Sequence, residues 1–319
     1  MENIAVLIPC YNEELTIEKV IKDFRKELPD AKIYVYNNNS KDKTCEIAKE
    51  NGAIVRNEYN QGKGNVVRRM FREIDADIYV IVDGDDTYPA EKVHELIEPV
   101  RNGIVDMCCG DRISNGSYKK QNKRNFHKIG NSVVKDAINV MFNTNLKDIM
   151  TGYRCFNKMF VKNMPVMSKN FEIETEMTLY ALDRRMIIKE IPIDYKDRPN
   201  GSESKLSTIK DGIRVLNTII KMFKDYKPFK FFVTIALILF ILGLIIGSPV
   251  IVEFIKTDYI TKLPSAVLAT GLVILSVIVA QCGVILDTVV KHQKQRDELN
   301  LINYYQMENK NRRWVSWNC

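Results

Sequence analysis

Three carboxylates crowd one stretch of the 319-residue chain, Tyr79-Val80-Ile81-Val82-Asp83-Gly84-Asp85-Asp86-Thr87-Tyr88-Pro89. Asp83 and Asp85 flank Gly84, which lets the backbone turn tightly enough for both to face one point. Hard oxygen ligands of this kind suit Mg²⁺ or Mn²⁺, which binds through one or two protein carboxylates together with substrate phosphates. The β-branched, apolar run before them reads as a buried strand. The pattern therefore predicts a metal–diphosphate site at the C-terminal edge of a sheet, where open α/β folds place their ligands. A solvated capping turn would carry the same residues, so the stretch needs company. Gly62-Lys63-Gly64 supplies some of it by opening a helix, where backbone N–H groups and Lys63 can meet phosphate or a nucleobase. It lacks the full GxGxxG and GxxxxGK[ST] patterns, which disfavours a Rossmann or a P-loop fold.

The elements that must position these residues alternate. Strands are predicted at Ile4 to Pro9, Lys32 to Tyr36, Ala53 to Arg56 and just before Asp83, with helices at Thr16 to Glu27, Asp42 to Asn51, after Gly64, and Glu91 to Arg101. Such β-α-β-α alternation implies a mostly parallel sheet with helices on both faces. Met107 to Gly110 adds a strand, and Phe126 to Met141 is an amphipathic helix. Asp148 to Arg154 is a loop entering a strand, Glu172 to Arg185 a helix and Ile187 to Tyr195 a strand. Polar clusters follow the first strand (Pro9 to Glu13), the second (Asn37 to Ser40) and the fourth, and a doubly wound sheet would gather them at one edge.

Beyond residue 230 the composition changes. Phe231 to Val252 and Leu263 to Leu286 are charge-free runs of 22 and 24 residues. As helices they would span about 33 and 36 Å, enough for a bilayer core of about 30 Å. Leu206 to Phe223 has helical apolar spacing with Lys205, Lys210, Arg214 and Lys221 around it, so it reads as an interfacial helix, with packing on the soluble domain as the alternative. The expected organisation is an N-terminal α/β domain over 1–205, a juxtamembrane helix over 206–228, two spans within 229–290 and a tail over 291–319. No cleavable leader is expected. Lysines and arginines flank the outer ends of the two spans (Lys221, Lys224, Lys227, Lys230; Lys291, Lys294, Arg296, Arg312, Arg313), while the loop between them has Lys256 and Lys262 offset by Glu253 and Asp258. This bias predicts that the large N-terminal domain and both termini lie in the cytoplasm of a two-span protein of the cell membrane.

The net charge of +7 fits a protein held against anionic headgroups and handling phosphorylated substrates, with no concentration of charge that argues for nucleic acid. Seven scattered cysteines without a CxxC pair favour reduced thiols in a cytosol over a disulfide framework or a zinc site, and His94, His127 and His292 lie too far apart to suggest a metal cluster.

Taken together, these clusters resemble glycosyltransferase family 2, whose members share the GT-A nucleotide-sugar-binding α/β fold. The resemblance rests on Pro9-Tyr11-Asn12-Glu13, Ser40-Lys41-Asp42-Lys43-Thr44, Gly62-Lys63-Gly64 and the Asp83-Gly84-Asp85 pair, and runs over about residues 3 to 225. Thr151-Gly152-Tyr153-Arg154, Phe171-Glu172-Ile173-Glu174, the stretch Asp197-Arg198-Pro199-Asn200-Gly201-Ser202-Glu203-Ser204-Lys205-Leu206 and the two trailing apolar runs look most like the polyprenyl-phosphate glycosyltransferases, the dolichol-phosphate mannosyltransferase group.

The resemblance implies roles at matching positions. Pro9, Tyr11, Glu13 and Lys63 would line the nucleotide-sugar pocket, with Tyr36 and Asn38 beside the base or ribose. Asp83, Gly84 and Asp85 would hold the donor diphosphate through Mg²⁺ or Mn²⁺. Arg112 and Arg124 would hold the acceptor lipid phosphate, and Arg198 and Lys205 would grip phosphates as the site closes. The implied partners are a UDP- or GDP-linked sugar, a polyprenyl (undecaprenyl or dolichyl) phosphate and the membrane, in a protein compatible with homo-oligomerisation. The reaction would be inverting, and Glu172 and Glu174 would have structural or sugar-contacting roles.

Two departures stand out. Asn37-Asn38 occupies the place of a usual pair of aspartates, dropping negative charge while keeping donor and acceptor groups. Thr87 stands where related mannosyltransferases have glutamine, so that water would complete the metal shell. Two other readings remain open at this level: a processive polysaccharide synthase, weakened by Lys310 in place of the Gln of a Gln-x-x-Arg-Trp motif, and a non-catalytic, membrane-anchored sugar-nucleotide binder.

Overall fold

The computed structural model describes residues 2–116, 125–198 and 220–317. Arg124, Lys205 and most of the expected juxtamembrane helix therefore lie outside the described residues. Two compact units divide the chain, Met1–Gly212 and Ile213–Cys319.

Among the described residues of the first unit, seven strands form one sheet in the order β3-β2-β1-β4-β6-β5-β7. These are β1 (Ile4–Cys10), β2 (Lys32–Asn37), β3 (Ile54–Asn57), β4 (Ile78–Ile81), β5 (Met107–Asp111), β6 (Arg154–Asn157) and β7 (Ile188–Pro192). Their helices are α1 (Ile17–Glu27), α2 (Thr44–Glu50), α3 (Lys63–Glu73), α4 (Val93–Arg101), α5 (Asn125–Phe142), α6 (Lys158–Asn163) and α7 (Ile173–Asp183). The central pairings are parallel, while β6 runs antiparallel to both β4 and β5.

The alternation of strand side chains explains the layering. Val6 and Ile8 face one core with Ile17, Val20, Ile21 and Phe24 of α1 and Val93, Leu96 and Ile97 of α4. Ala5 and Leu7 face the other, with Val66, Val67 and Met70 of α3 and Met177 of α7. Both faces of the sheet are thus covered, which is why the strands read as continuous apolar runs. The short α6 was not expected; it follows β6 directly and is capped by Asn157, whose side chain accepts from the Phe160 N–H at 2.8 Å.

Tyr36 belongs to this second core and not to the expected nucleotide pocket. It is fully buried, and its hydroxyl donates to Glu73 Oε2 at 2.8 Å. Arg56 and Arg69 reach the same carboxylate at 2.7 and 2.6 Å. Burial opposes ionisation of Glu73, but these three partners outweigh it and bring its pKa down to about 2. A carboxylate depressed in this way stabilises the fold fully above its ordinary value of 4.5 and loses that contribution as pH falls through about 2. Glu73→Gln should therefore lower the thermal midpoint at pH 7 and converge on the wild type in strong acid. A gap unchanged across an acid titration would contradict this.

The second unit contains α8 (Pro228–Thr257) and α9 (Leu263–Trp317). Both are long and apolar enough to cross a membrane. Pro228 sits at the first position of α8, where its missing N–H costs nothing. Pro249 deprives the Ile245 carbonyl of its helical donor, and the Ser248 hydroxyl donates to that oxygen at 3.4 Å. The helix ends at Asp258, in the left-handed region at φ 55°. Gly243 and Gly247 face Val273 and Ala269 of α9, where an added Cβ would come within 3.0 and 3.2 Å of the neighbouring side chains. Small residues therefore let the two helices approach closely. The α9 helix continues past the apolar run into the charged region expected as a tail.

Candidate active site

The polar clusters meet at the C-terminal ends of β1, β2 and β4, which are adjacent and parallel. Strand order reverses between β1 and β4, so the loops leaving those strands diverge and open a crevice. The loop after β1 is knitted to the loop after β2. Asn12 N–H donates to Ser40 Oγ at 2.9 Å, Glu13 N–H to Thr44 Oγ1 at 2.8 Å and Glu14 N–H to Asp42 Oδ2 at 3.1 Å. The spacing Ser40-x-Asp42-x-Thr44 is thus a latch that fixes the backbone around Glu13. Pro9 and Tyr11 are half-buried beside it.

The Asp83–Asp85 turn is anchored in the same way. Thr16 Oγ1 donates to the Gly84 carbonyl at 2.6 Å, and a Cβ on Gly84 would lie 2.7 Å from Cys10 Sγ. Asp85 is 4% exposed. Its Oδ1 accepts from Thr87 Oγ1 at 2.6 Å and its Oδ2 pairs with Arg198 at 2.7 Å. Arg198 also reaches Glu13 at 3.5 Å. Burial and the neighbouring Asp83 push the Asp85 carboxyl upward, against the pull of Arg198 and Thr87. Thr87, the departure noted above, orients Asp85. Asp86 turns away at φ 59° and pairs with Lys19 at 2.6 Å.

Lys63 is the centre of a second set. Its ammonium lies 2.5 Å from Asp83 Oδ1 and 2.5 Å from Glu174 Oε1, with only 9% of the side chain exposed. Burial pulls the lysine pKa down, but the two carboxylates overcome it and raise it above its ordinary value. Glu174 is thereby held by a cation.

Arg112 is bidentate to Asp148, at 2.6 and 2.9 Å, and its guanidinium lies 5.5 Å from the Tyr195 ring centroid. Burial raises the Asp148 carboxyl, and Arg112 more than reverses that shift. The partnership of Arg112 with Asp148, 36 residues away, was not anticipated, and no local spacing announces it. The loop that carries Asp148 is shaped by Arg154, 1% exposed, which donates to the carbonyls of Ile149 at 2.6 Å and Thr151 at 3.0 Å.

That loop also brings Gly152 against Asp83. A Cβ there would lie 2.4 Å from Asp83 Oδ2, while the Gly152 N–H is held by Tyr88 Oη at 2.8 Å. Gly152→Ala should therefore displace the Asp83 carboxylate and cost about tenfold to a hundredfold in turnover, with the fold retained. Unchanged kinetics would show that Asp83 has slack in its position.

The residues fit a divalent cation. Glu13, Asp83, Asp85 and Glu174 face the two cations Lys63 and Arg198 in these pairs, an excess of two negative charges. Among the described residues no group of three or more His, Cys, Asp or Glu forms a complete cage. A cation held by Asp83 and Asp85 would draw its other ligands from water and substrate phosphates, as Mg²⁺ commonly does.

Residues 5–164 match the Glycosyl transferase family 2 model. Protein RfbJ of Shigella flexneri is 51% identical over 121 residues, covering 38% of this chain and 94% of that protein. The dolichyl-phosphate hexose transferase of Haloferax volcanii is 27% identical over 221 residues, covering 69% and 94%. The fold is shared with glucosyl-3-phosphoglycerate synthase of Mycobacterium tuberculosis, solved with Mn²⁺, UDP-glucose and phosphoglyceric acid, at a TM-score of 0.53, 18% identity and coverage of 70% of this chain and 79% of that one. The sheet is that of a GT-A-like fold, and the chain belongs to glycosyl transferase family 2: it is a glycosyltransferase.

Proposed function

We propose that this glycosyltransferase moves a hexose from a UDP- or GDP-linked donor to a polyprenyl phosphate at the cytoplasmic face of the membrane, with inversion at the anomeric carbon. The observation that carries the reading is the paired Asp83 and Asp85, flanked by Lys63 and Arg198, in a chain that also has two helices able to cross a membrane. A relative named for dolichyl-phosphate hexose transfer supports the acceptor. A fold neighbour solved with Mn²⁺ and UDP-glucose supports donor and metal.

The chemistry follows from charge. A lipid phosphate is anionic near neutral pH, so its oxygen needs no strong base to attack the anomeric carbon. Glu174, held by Lys63, has no proton to collect. The bond from the anomeric carbon to the nucleoside diphosphate breaks as the new bond forms on the opposite face. Mg²⁺ or Mn²⁺ held by Asp83 and Asp85 would supply Lewis-acid neutralisation of the departing diphosphate. Arg198, already beside Asp85, would add a cation at the same oxygens. Arg112, oriented by Asp148, and Arg124 and Lys205 would serve the lipid phosphate and the closing of the site.

In this reading the catalytic domain spans 1–205 and the two helices are spans that hold it at the headgroup plane, with both termini cytoplasmic. Exposed apolar side chains along α8 and α9, such as Leu237, Ile241, Leu244, Val267 and Ile274, are the surface a bilayer would cover. The direct test is a panel of labelled UDP- and GDP-hexoses with polyprenyl phosphate and Mn²⁺, followed by lipid extraction. Label should enter the lipid phase from one donor class. Failure with every donor, in protein that still binds nucleotide, would overturn the acceptor assignment.

A further inference from the structure

Asn38 stands just past the end of β2 and is 3% exposed. Its side chain spends all its polar atoms on one loop. Nδ2 donates to the carbonyls of Glu58 at 2.8 Å and Asn60 at 2.9 Å. Oδ1 accepts from the Gly62 N–H at 2.7 Å and from Gln61 Nε2 at 3.2 Å. Two carbonyls on one side and a backbone N–H on the other leave one orientation for the amide. Nothing remains with which to read a base or ribose, so the pocket role expected of Asn38 gives way to a different one.

The loop it grips leads directly into Lys63. Gly62, at φ 129°, is pinned from the other side as well: a Cβ there would lie 2.1 Å from the Lys169 carbonyl oxygen, and one on Gly64 would lie 2.2 Å from that of Ser168. The start of α3 is therefore clamped between Asn38 and the 168–169 backbone. Lys63 begins that helix and reaches Asp83 and Glu174.

We propose that Asn38 is a positioning residue whose amide fixes the 58–62 loop and thereby holds the Lys63 ammonium between Asp83 and Glu174. The amide is required at this position. An aspartate would lose both donors and set negative charge against the Glu58 and Asn60 carbonyls, keeping only the two bonds to Oδ1. The adjacent Asn37 carries no such demand. Its Nδ2 meets Asn57 Oδ1 at 3.0 Å, an amide that can turn over and donate to a carboxylate, and its Oδ1 accepts from the Ser40 N–H at 2.9 Å. Two neighbouring asparagines of the same type thus have different tolerances.

Reductive methylation of the full-length protein in detergent, read lysine by lysine by mass spectrometry, tests this without any substrate. In the wild type Lys63 should be protected relative to the exposed Lys26. In Asn38→Asp it should label about tenfold faster, the scale expected for freeing a buried polar clasp, with Lys26 unchanged; Asn37→Asp should keep the protection. Asn38→Ser, which removes the clasp without adding charge, gives the same reading if the aspartate variant does not fold. Lys63 equally protected in both Asn38 variants would overturn the proposal. A second readout rests on the donor assignment above, in Mn²⁺-dependent UDP or GDP binding. Asn38→Asp and Lys63→Gln should each weaken binding about tenfold, and the double variant no more than Lys63→Gln alone; additive losses would overturn the route through Lys63. If the wild type binds neither nucleotide, it is the donor assignment that fails, and the labelling result still decides the role of Asn38.

Discussion

Asp85→Ala is expected to lower sugar transfer by about a thousandfold, the loss of several kcal/mol of charge neutralisation at the departing diphosphate, in a protein that remains folded. The second half of that expectation comes from the electrostatics of the unliganded site. Burial and the nearby Asp83 disfavour the charged form of Asp85, so this carboxylate is held at some expense to the fold. Removing it strands Arg198, but that side chain is 29% exposed and keeps Glu13 within 3.5 Å. Stability should therefore change by no more than about 1 kcal/mol, measured by thermal denaturation beside the transfer assay. Near-normal turnover in the folded variant would remove Asp85 from the proposed metal site.

The opposite pattern is expected at Lys63. Lys63→Met leaves Asp83 and Glu174 without their shared cation, and Glu174 is 6% exposed. Breaking a buried pair from one side strands charge and costs about 3–5 kcal/mol. The sign of the pH dependence is also determined. A lysine whose folded pKa is raised contributes its stability in full below the unfolded value of about 10.4 and loses it only as pH rises through the folded one. The gap between wild type and variant should thus be flat through neutral and mildly alkaline pH. Adding Glu174→Gln to the Lys63→Met background removes one stranded charge and should recover part of the loss, seen as non-additivity in denaturant titrations. Strictly additive effects would contradict the shared-cation geometry.

What could be read from the residues, and what could not, divides along the range of the interactions. Asp83 and Asp85 were legible because a buried strand followed by carboxylates around a glycine is a local pattern, and the sheet edge follows from βα alternation. The apolar runs in α8 and α9 were legible for the same reason, since length and composition are local. Tyr36 was misplaced because its place in the core depends on Glu73 and Arg56 at its hydroxyl, and no periodicity specifies which end of a tyrosine is satisfied where. Asn38 was given a ligand role because its two carbonyl partners lie 20 and 22 residues away, beyond any spacing rule. Asp148, Glu174 and Gly152 act across the site by the same kind of long-range placement. The short α6 was hidden by its length, which is below what apolar periodicity resolves.

The proposed acceptor is a lipid carrying phosphate, reached through a proposed metal site at Asp83 and Asp85. This is tested most directly by offering one labelled nucleotide sugar, with Mn²⁺, to polyprenyl phosphate and to the same polyprenol without phosphate, and by repeating the first reaction with excess EDTA. Label is expected in the phosphate-bearing lipid alone, and EDTA should abolish it. Equal transfer to the free alcohol, or transfer that survives chelation, would contradict the account.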